Sequence, residues 1–248
     1  MLILKSHRRG VGHGGTRRGI VATEISPMRA ARSYTISQAA RLAGTTPQNV
    51  RRWLFGYAAP GHKMEPVFGS PPDTGGPPIV SFLQLAEILV VARYRRRSGR
   101  QIKLQRLREA HRFARERLGV EWPFASESIV FEGGHIIHEF EEAHPAKGER
   151  RIAIDEGGKF VLPLDFRDTL ELFDFDLADT LATRFYPLGR NAPVVVDPEH
   201  ASGLPTFVGT NVRIETVVSR WKAGQTIAEL EEDFEIPSSA IEAVLQAA

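Results

Sequence analysis

The segment Tyr34–Tyr57, YTISQAARLAGTTPQNVRRWLFGY, leaves this chain few ways to fold. Residues 37–43 read as a short helix with Ala39, Ala40, Leu42 and Ala43 as its apolar positions, and Gly44 ends it. Thr45 or Thr46 can cap a second helix, with Pro47 in the first position, where a missing N–H costs little. Val50, Trp53 and Leu54 recur at i, i+3 and i+4 and mark a buried face. That leaves Gln48, Asn49, Arg51 and Arg52 outside. Two helices across a tight turn, the second polar and basic on its outer side, have the chemistry of a helix-turn-helix. The second helix enters the major groove, where Gln and Asn can pair with adenine, Arg with guanine, and Arg also neutralises phosphate. The candidate DNA contacts are Ser37, Thr46, Gln48, Asn49, Arg51, Arg52, Tyr57 and Lys63. The competing reading is an ordinary helical hairpin with a solvated basic face.

Charge supports a nucleic-acid partner for this half. The net charge of +2 conceals a split. Residues 1–32 carry seven Lys/Arg and one acid; residues 33–119 carry fifteen and five; residues 120–248 carry ten and twenty-four. A basic half joined to an acidic half implies two partners of opposite charge, or two halves that attract each other. With no cysteine in the chain, disulfides and cysteine-based metal sites are excluded. No apolar stretch of about 18 residues is present, so no membrane span is expected, and the expected location is the cytoplasm. Residues 1–32, rich in Gly and Arg, read as a disordered basic leader.

Further along, residues 58–78 are rich in Pro and Gly and can form a hairpin wing or a plain loop. Residues 81–98 predict a helix capped by Ser81, with Leu85, Ile88, Leu89 and Ala92 as one apolar stripe. Residues 102–118 predict another, with Leu104, Leu107, His111, Ala114 and Leu118 on one face. After Gly119 the texture turns to β. Strand pairs are expected around Gly133-Gly134 and Gly157-Gly158, a short helix over 165–174 and a strand over 193–197. From Gly203 the chain is helical again. Ile214, Val217, Val218 and Trp221 fall at helical spacing, Gly224 ends that helix, and Thr226/Glu229 and Ser239/Glu242 form two capping boxes.

The expected fold is α+β and modular: a basic leader over 1–32, DNA-binding and dimerisation helices over 33–119, a small β-rich middle over 120–200, and a three-helix tail over 201–248. His135 and His138 look metal-like, but on a strand they point to opposite faces, so no metal site is expected. Neither a phosphate-binding Gly loop nor a nucleophile elbow is present, and neither enzyme chemistry nor a cofactor is expected.

Two resemblances sharpen this reading. Ser37, Ala40, Gly44, Pro47, Val50, Arg51 and Trp53 match the outline of the MerR-type winged helix, although the Pro-rich wing departs from it. The tail resembles a C-terminal domain of unknown function found in many antitoxins, through Gly203, Pro205, Gly209, Thr210, Arg213, Ile214, Gly224, Thr226, Phe234 and Ile241. Together, in this order, the modules look like a VapB-type antitoxin. That resemblance implies a homodimer that represses its own operator and neutralises a PIN-like ribonuclease toxin, with Arg213, Trp221 and Phe234 as candidate toxin contacts. The acidic tail itself is poorly suited to DNA: residues 226–248 carry six acids and no Lys or Arg. The alternatives are a MerR-like regulator whose residues 120–248 sense a small ligand, and a DNA-binding scaffold protein with no switch.

Overall fold

The computed structural model describes residues 25–59, 61–68, 79–97, 104–127 and 169–247. Residues 1–24 of the leader expected over 1–32, both glycine-centred strand pairs, and His135 with His138 lie outside the described residues; residues 25–32, expected to be disordered with it, instead carry a helix and the start of a strand. The architecture is α+β, with helices and short antiparallel strand pairs.

Chain order begins with α1 (Pro27–Ala30), β1 (Arg32–Thr35), α2 (Ile36–Leu42) and α3 (Pro47–Phe55). A hairpin follows, β2 (Tyr57–Ala59) and β3 (His62–Met64), with Tyr57 opposite Met64. Of the two readings open for residues 58–78, the described part is therefore a hairpin. β4 (Ile79–Ser81) pairs antiparallel with β1 and leads into α4 (Phe82–Arg97). Ser81 caps α4: its hydroxyl accepts from Gln84 N at 3.2 Å, and Ser81 N donates to Gln84 Oε1 at 3.0 Å.

Almost no face of α4 meets solvent between Phe82 and Ala92. Phe82, Leu83, Leu85, Ala86, Ile88, Leu89, Val90, Val91 and Ala92 are all buried. The expected single stripe is thus too narrow. A helix that is apolar all round must be covered on more than one side. The cover comes from α1, α2 and β1, together with a 3-10 turn (Pro123–Ala125) and a later strand.

That later strand belongs to β5 (Phe173–Phe175) and β6 (Ala182–Phe185), an antiparallel pair. The helix expected over 165–174 is corrected at its end: Phe173 starts a strand. Its period is two, with Phe173 buried against Phe185 at 5.1 Å between ring centres. One core therefore contains α2, α3, α4 and the β5–β6 pair. Arg29 on α1 is buried and grips Asp179 with both terminal nitrogens, tying the start of the described chain to the β5–β6 turn.

β7 (Val194–Val195) lies within the expected 193–197 strand and pairs with β8 (Thr206–Phe207). Between them Ala201–Gly203 form a 3-10 turn, and Gly203 sits so close to the Tyr34 ring that a Cβ there would lie 2.0 Å from the phenol oxygen. Three helices follow: α6 (Ile214–Lys222), α7 (Ile227–Phe234) and α8 (Ser238–Ala247). They close a second core of Val194, Phe207, Val217, Leu230, Ile236, Ile241 and Val244.

The long helices meet through a buried hydrogen bond. α5 (Leu104–Leu118) places His111 Nε2 2.9 Å from Glu87 Oε1 on α4, and both side chains are at most 3% exposed. Phe124 N also donates to Glu87 Oε1, at 3.3 Å, and Phe68 and Phe124 meet the imidazole edge-on. Removing one member of a buried pair leaves the other without compensation. His111→Leu is therefore expected to cost about 1–3 kcal/mol of unfolding free energy, and Glu87→Leu added to it should restore much of the loss. Denaturant titration measures both; a single variant as stable as the parent would contradict this account.

Candidate functional site

The α2–α3 unit is assembled by local chemistry. Thr35 opens α2 with a capping box: its hydroxyl accepts from Gln38 N at 3.2 Å, and Gln38 Oε1 accepts from Thr35 N at 2.8 Å. α2 closes with a Schellman turn. Thr45 N donates to Ala40 O at 2.9 Å and Gly44 N to Arg41 O at 3.1 Å, with Gly44 left-handed at φ +58°. Thr46 then caps α3, its hydroxyl accepting from Asn49 N at 3.2 Å.

α3 divides into two faces. Val50, Trp53 and Leu54 are buried in the core, while Gln48, Arg51 and Arg52 are exposed. Asn49 is half-buried, its amide donating to Thr45 Oγ1 at 3.1 Å. Ser37 is exposed in the first turn of α2, and Thr46 is exposed at the cap of α3. The hairpin follows α3 directly: Lys63 is exposed on β3, and the Arg52 guanidinium stands 5.1 Å from the centre of the Tyr57 ring. Gln48, Arg51, Arg52, Tyr57 and Lys63 thus belong to one continuous helix–hairpin segment.

Two arginines from the long helices fix this segment, and local sequence pattern does not announce them. Arg96 on α4 donates through Nη2 to Ala43 O at 3.1 Å, holding the last carbonyl of the α2 cap. It covers Gly44 so closely that a Cβ there would lie 2.5 Å from Arg96 Nη1. Arg108 on α5 donates through Nε to Glu65 O at 2.5 Å, just beyond the hairpin. Val67 N donates to Trp53 O at 2.7 Å and returns the chain to α3.

The tail candidates do not form one tight group. Arg213 is exposed as the residue before α6, and Trp221 is 43% exposed in its last turn. Ile214, Val217 and Val218 pack inward from the same spacing. Phe234 is half-buried under the Arg220 guanidinium at 5.0 Å, and Arg220 also pairs with Asp233 at 2.6 Å.

A cleft of about 600 Å³ lies between α1, the β5–β6 turn and residues 197–200. Its charges satisfy one another: Arg184 Nε meets Asp197 Oδ2 at 2.8 Å, His200 Nδ1 meets it at 3.1 Å, and Ser26 donates to Glu199. Burial works to raise the Asp197 pKa, but hydrogen bonds from Arg184, the Glu199 backbone N–H and His200 together hold the carboxyl below its ordinary range. Among the described residues no group of three or more His, Asp or Glu side chains is placed to hold a metal ion. Nor is any described helix long and apolar enough to cross a membrane.

Comparison with known proteins places the tail first. Residues 194–247 match the family described as "Protein of unknown function (DUF433)". A Mycobacterium tuberculosis protein named "Putative antitoxin VapB45" is 25% identical over 227 residues, covering 86% of this chain and 92% of that protein. A second protein of that organism, "Uncharacterized protein Rv2308", is 23% identical over 210 residues, covering 81% of this chain and 83% of that one. The X-ray crystal structure of Rv2018 from Mycobacterium tuberculosis is similar with a TM-score of 0.69 at 24% identity, over 87% of this chain and 98% of that one. That likeness shows a shared fold.

The turn geometry yields a prediction. Gly44→Ala imposes a left-handed alanine, at about 1–2 kcal/mol, and also collides with Arg96. Adding Arg96→Ala removes the collision, so the double variant should lose less stability than the two single losses combined. A double-mutant cycle by chemical denaturation measures the coupling, and strict additivity would show that Arg96 does not press on the turn.

Proposed function

We propose that this chain is an antitoxin: a binding protein rather than an enzyme, which represses its own operon through its basic half and neutralises a PIN-like ribonuclease toxin through its acidic half. The observation that carries the reading is α3. It is capped, anchored by Val50, Trp53 and Leu54, and turns Gln48, Arg51 and Arg52 outward beside a hairpin bearing Lys63. The relative named as an antitoxin spans 86% of the chain and supplies the toxin side of the reading.

In this account α2, α3 and the hairpin act as a MerR-like winged helix-turn-helix. Gln48, Asn49, Arg51 and Arg52 meet base edges and phosphates, Ser37 and Thr46 meet the backbone near the turn, and Tyr57 and Lys63 meet it from the hairpin. Two copies place two such units on successive half-sites, which gives a homodimer. Arg213, Trp221 and Phe234 contribute to the toxin interface.

Two measurements test the reading. Fluorescence anisotropy with DNA from the chain's own promoter region should show weaker binding for Arg51→Ala, with the salt slope reduced by about 0.9. Unchanged affinity and slope would remove α3 from the interface. Expressing the protein encoded beside this chain should arrest growth, and co-expressing this chain should restore it. No arrest, or arrest without rescue, would sink the antitoxin role.

A further inference from the structure

The outward face of α3 has an aromatic side chain at its centre. With Gln48 taken as zero and about 100° per residue, Arg51, Arg52 and Phe55 fall at about −60°, +40° and −20° around the helix. Val50, Trp53 and Leu54, all buried, fall at about +200°, +140° and +240°, on the opposite side. Phe55 thus projects between the two arginines, one turn beyond them and two beyond Gln48. It is 43% exposed. The core needs apolar side chains at 50, 53 and 54; one directly opposite them does nothing for it.

The turn that carries Phe55 is held in place. Gly56 N donates to Arg52 O at 3.0 Å and completes the helix, and Val67 N donates to Trp53 O at 2.7 Å from the far side of the hairpin. The neighbouring guanidinium of Arg52 stands over Tyr57 instead of Phe55. Among the described residues no ring or cation stacks on Phe55. Its ring is therefore a fixed apolar group in the middle of a polar, basic face.

We propose that Phe55 is a specificity residue for thymine: its ring packs on a thymine C5-methyl group in the major groove, between the polar contacts of Gln48, Arg51 and Arg52. This rests on the DNA-binding half of the reading above. In the major groove guanine, adenine and cytosine offer hydrogen-bonding atoms, which a phenyl ring cannot satisfy, whereas thymine adds a methyl group. A ring laid on donors or acceptors strips them of water without replacing it. Laid on the methyl group, it removes apolar surface from water on both sides. Phe55 therefore favours thymine and disfavours the other bases at one position of each half-site.

The test uses the full-length chain and duplexes from its own promoter region, with affinity read by fluorescence anisotropy. In each duplex of a series one thymine is replaced by uracil, which removes a single methyl group. At least one replacement should weaken wild-type binding about three-fold or more, and the same replacement should leave Phe55→Ala unaffected. Phe55→Leu, which keeps an apolar side chain, should bind between the two and retain part of the preference. A Phe55→Ala chain that binds every duplex as tightly as the parent overturns the inference. So does one that is weaker on all duplexes alike, since the ring then meets the sugar-phosphate backbone. Either result, with Arg51→Ala still weakened, leaves the DNA-binding reading standing. No binding of promoter DNA by the wild-type chain overturns both. If light scattering gives Phe55→Ala a lower oligomeric mass, the ring is a contact between copies and the inference falls.

Discussion

Burial of α4 on nearly all sides is the constraint on which the rest of the structure depends. A helix that buries every residue from Phe82 to Ala92, all but Gln84 and Glu87 apolar, cannot sit at a surface. It draws α1, α2 and β1 onto it, and also the Pro123–Ala125 turn and β6, so segments far apart in sequence share one interior. The Glu87–His111 pair is a polar contact buried within that interior, and it joins α4 to α5. The α2–α3 unit therefore stands on a rigid base. Arg96 and Arg108 reach from the two long helices to the turn and to the chain just beyond the hairpin, so the two parts of the candidate DNA surface are held from the same base.

The second consequence is a division of surfaces. The α2–α3 unit presents Arg51 and Arg52, while the tail, closed around its own small core, presents Glu231 and Glu232 from a matching turn. One local design, Schellman turn then threonine cap, serves both. The backbone hydrogen bonds are the same in kind, and the outward side chains alone distinguish a surface that attracts phosphate from one that repels it.

Much of this was legible in the chain because its causes are local. Gly44, Thr46, Pro47 and the Val50–Trp53–Leu54 spacing act within a few residues of one another, and so do Gly224, Thr226 and Glu229. What escaped was non-local or ambiguous. Arg96 meets Ala43 across 53 positions, and no spacing rule announces such a contact. Phe173 and Phe175 sit among acids, a pattern that fits a helix face as readily as an alternating strand until Phe185 is seen opposite. Trp221 shares the helical spacing of its neighbours, yet α6 ends there and leaves it 43% exposed. The breadth of α4 burial likewise needed the segments that cover it.

Hydrogen–deuterium exchange on the full chain, alone, with promoter DNA, and with the protein encoded beside it, tests the division of surfaces most directly. The account predicts that DNA slows exchange across α3 and the β2–β3 hairpin and leaves α7 unchanged. The partner protein should slow exchange in α7 and the last turn of α6 and leave α3 unchanged. Protection of the same segment by both ligands would contradict the existence of two surfaces with two partners.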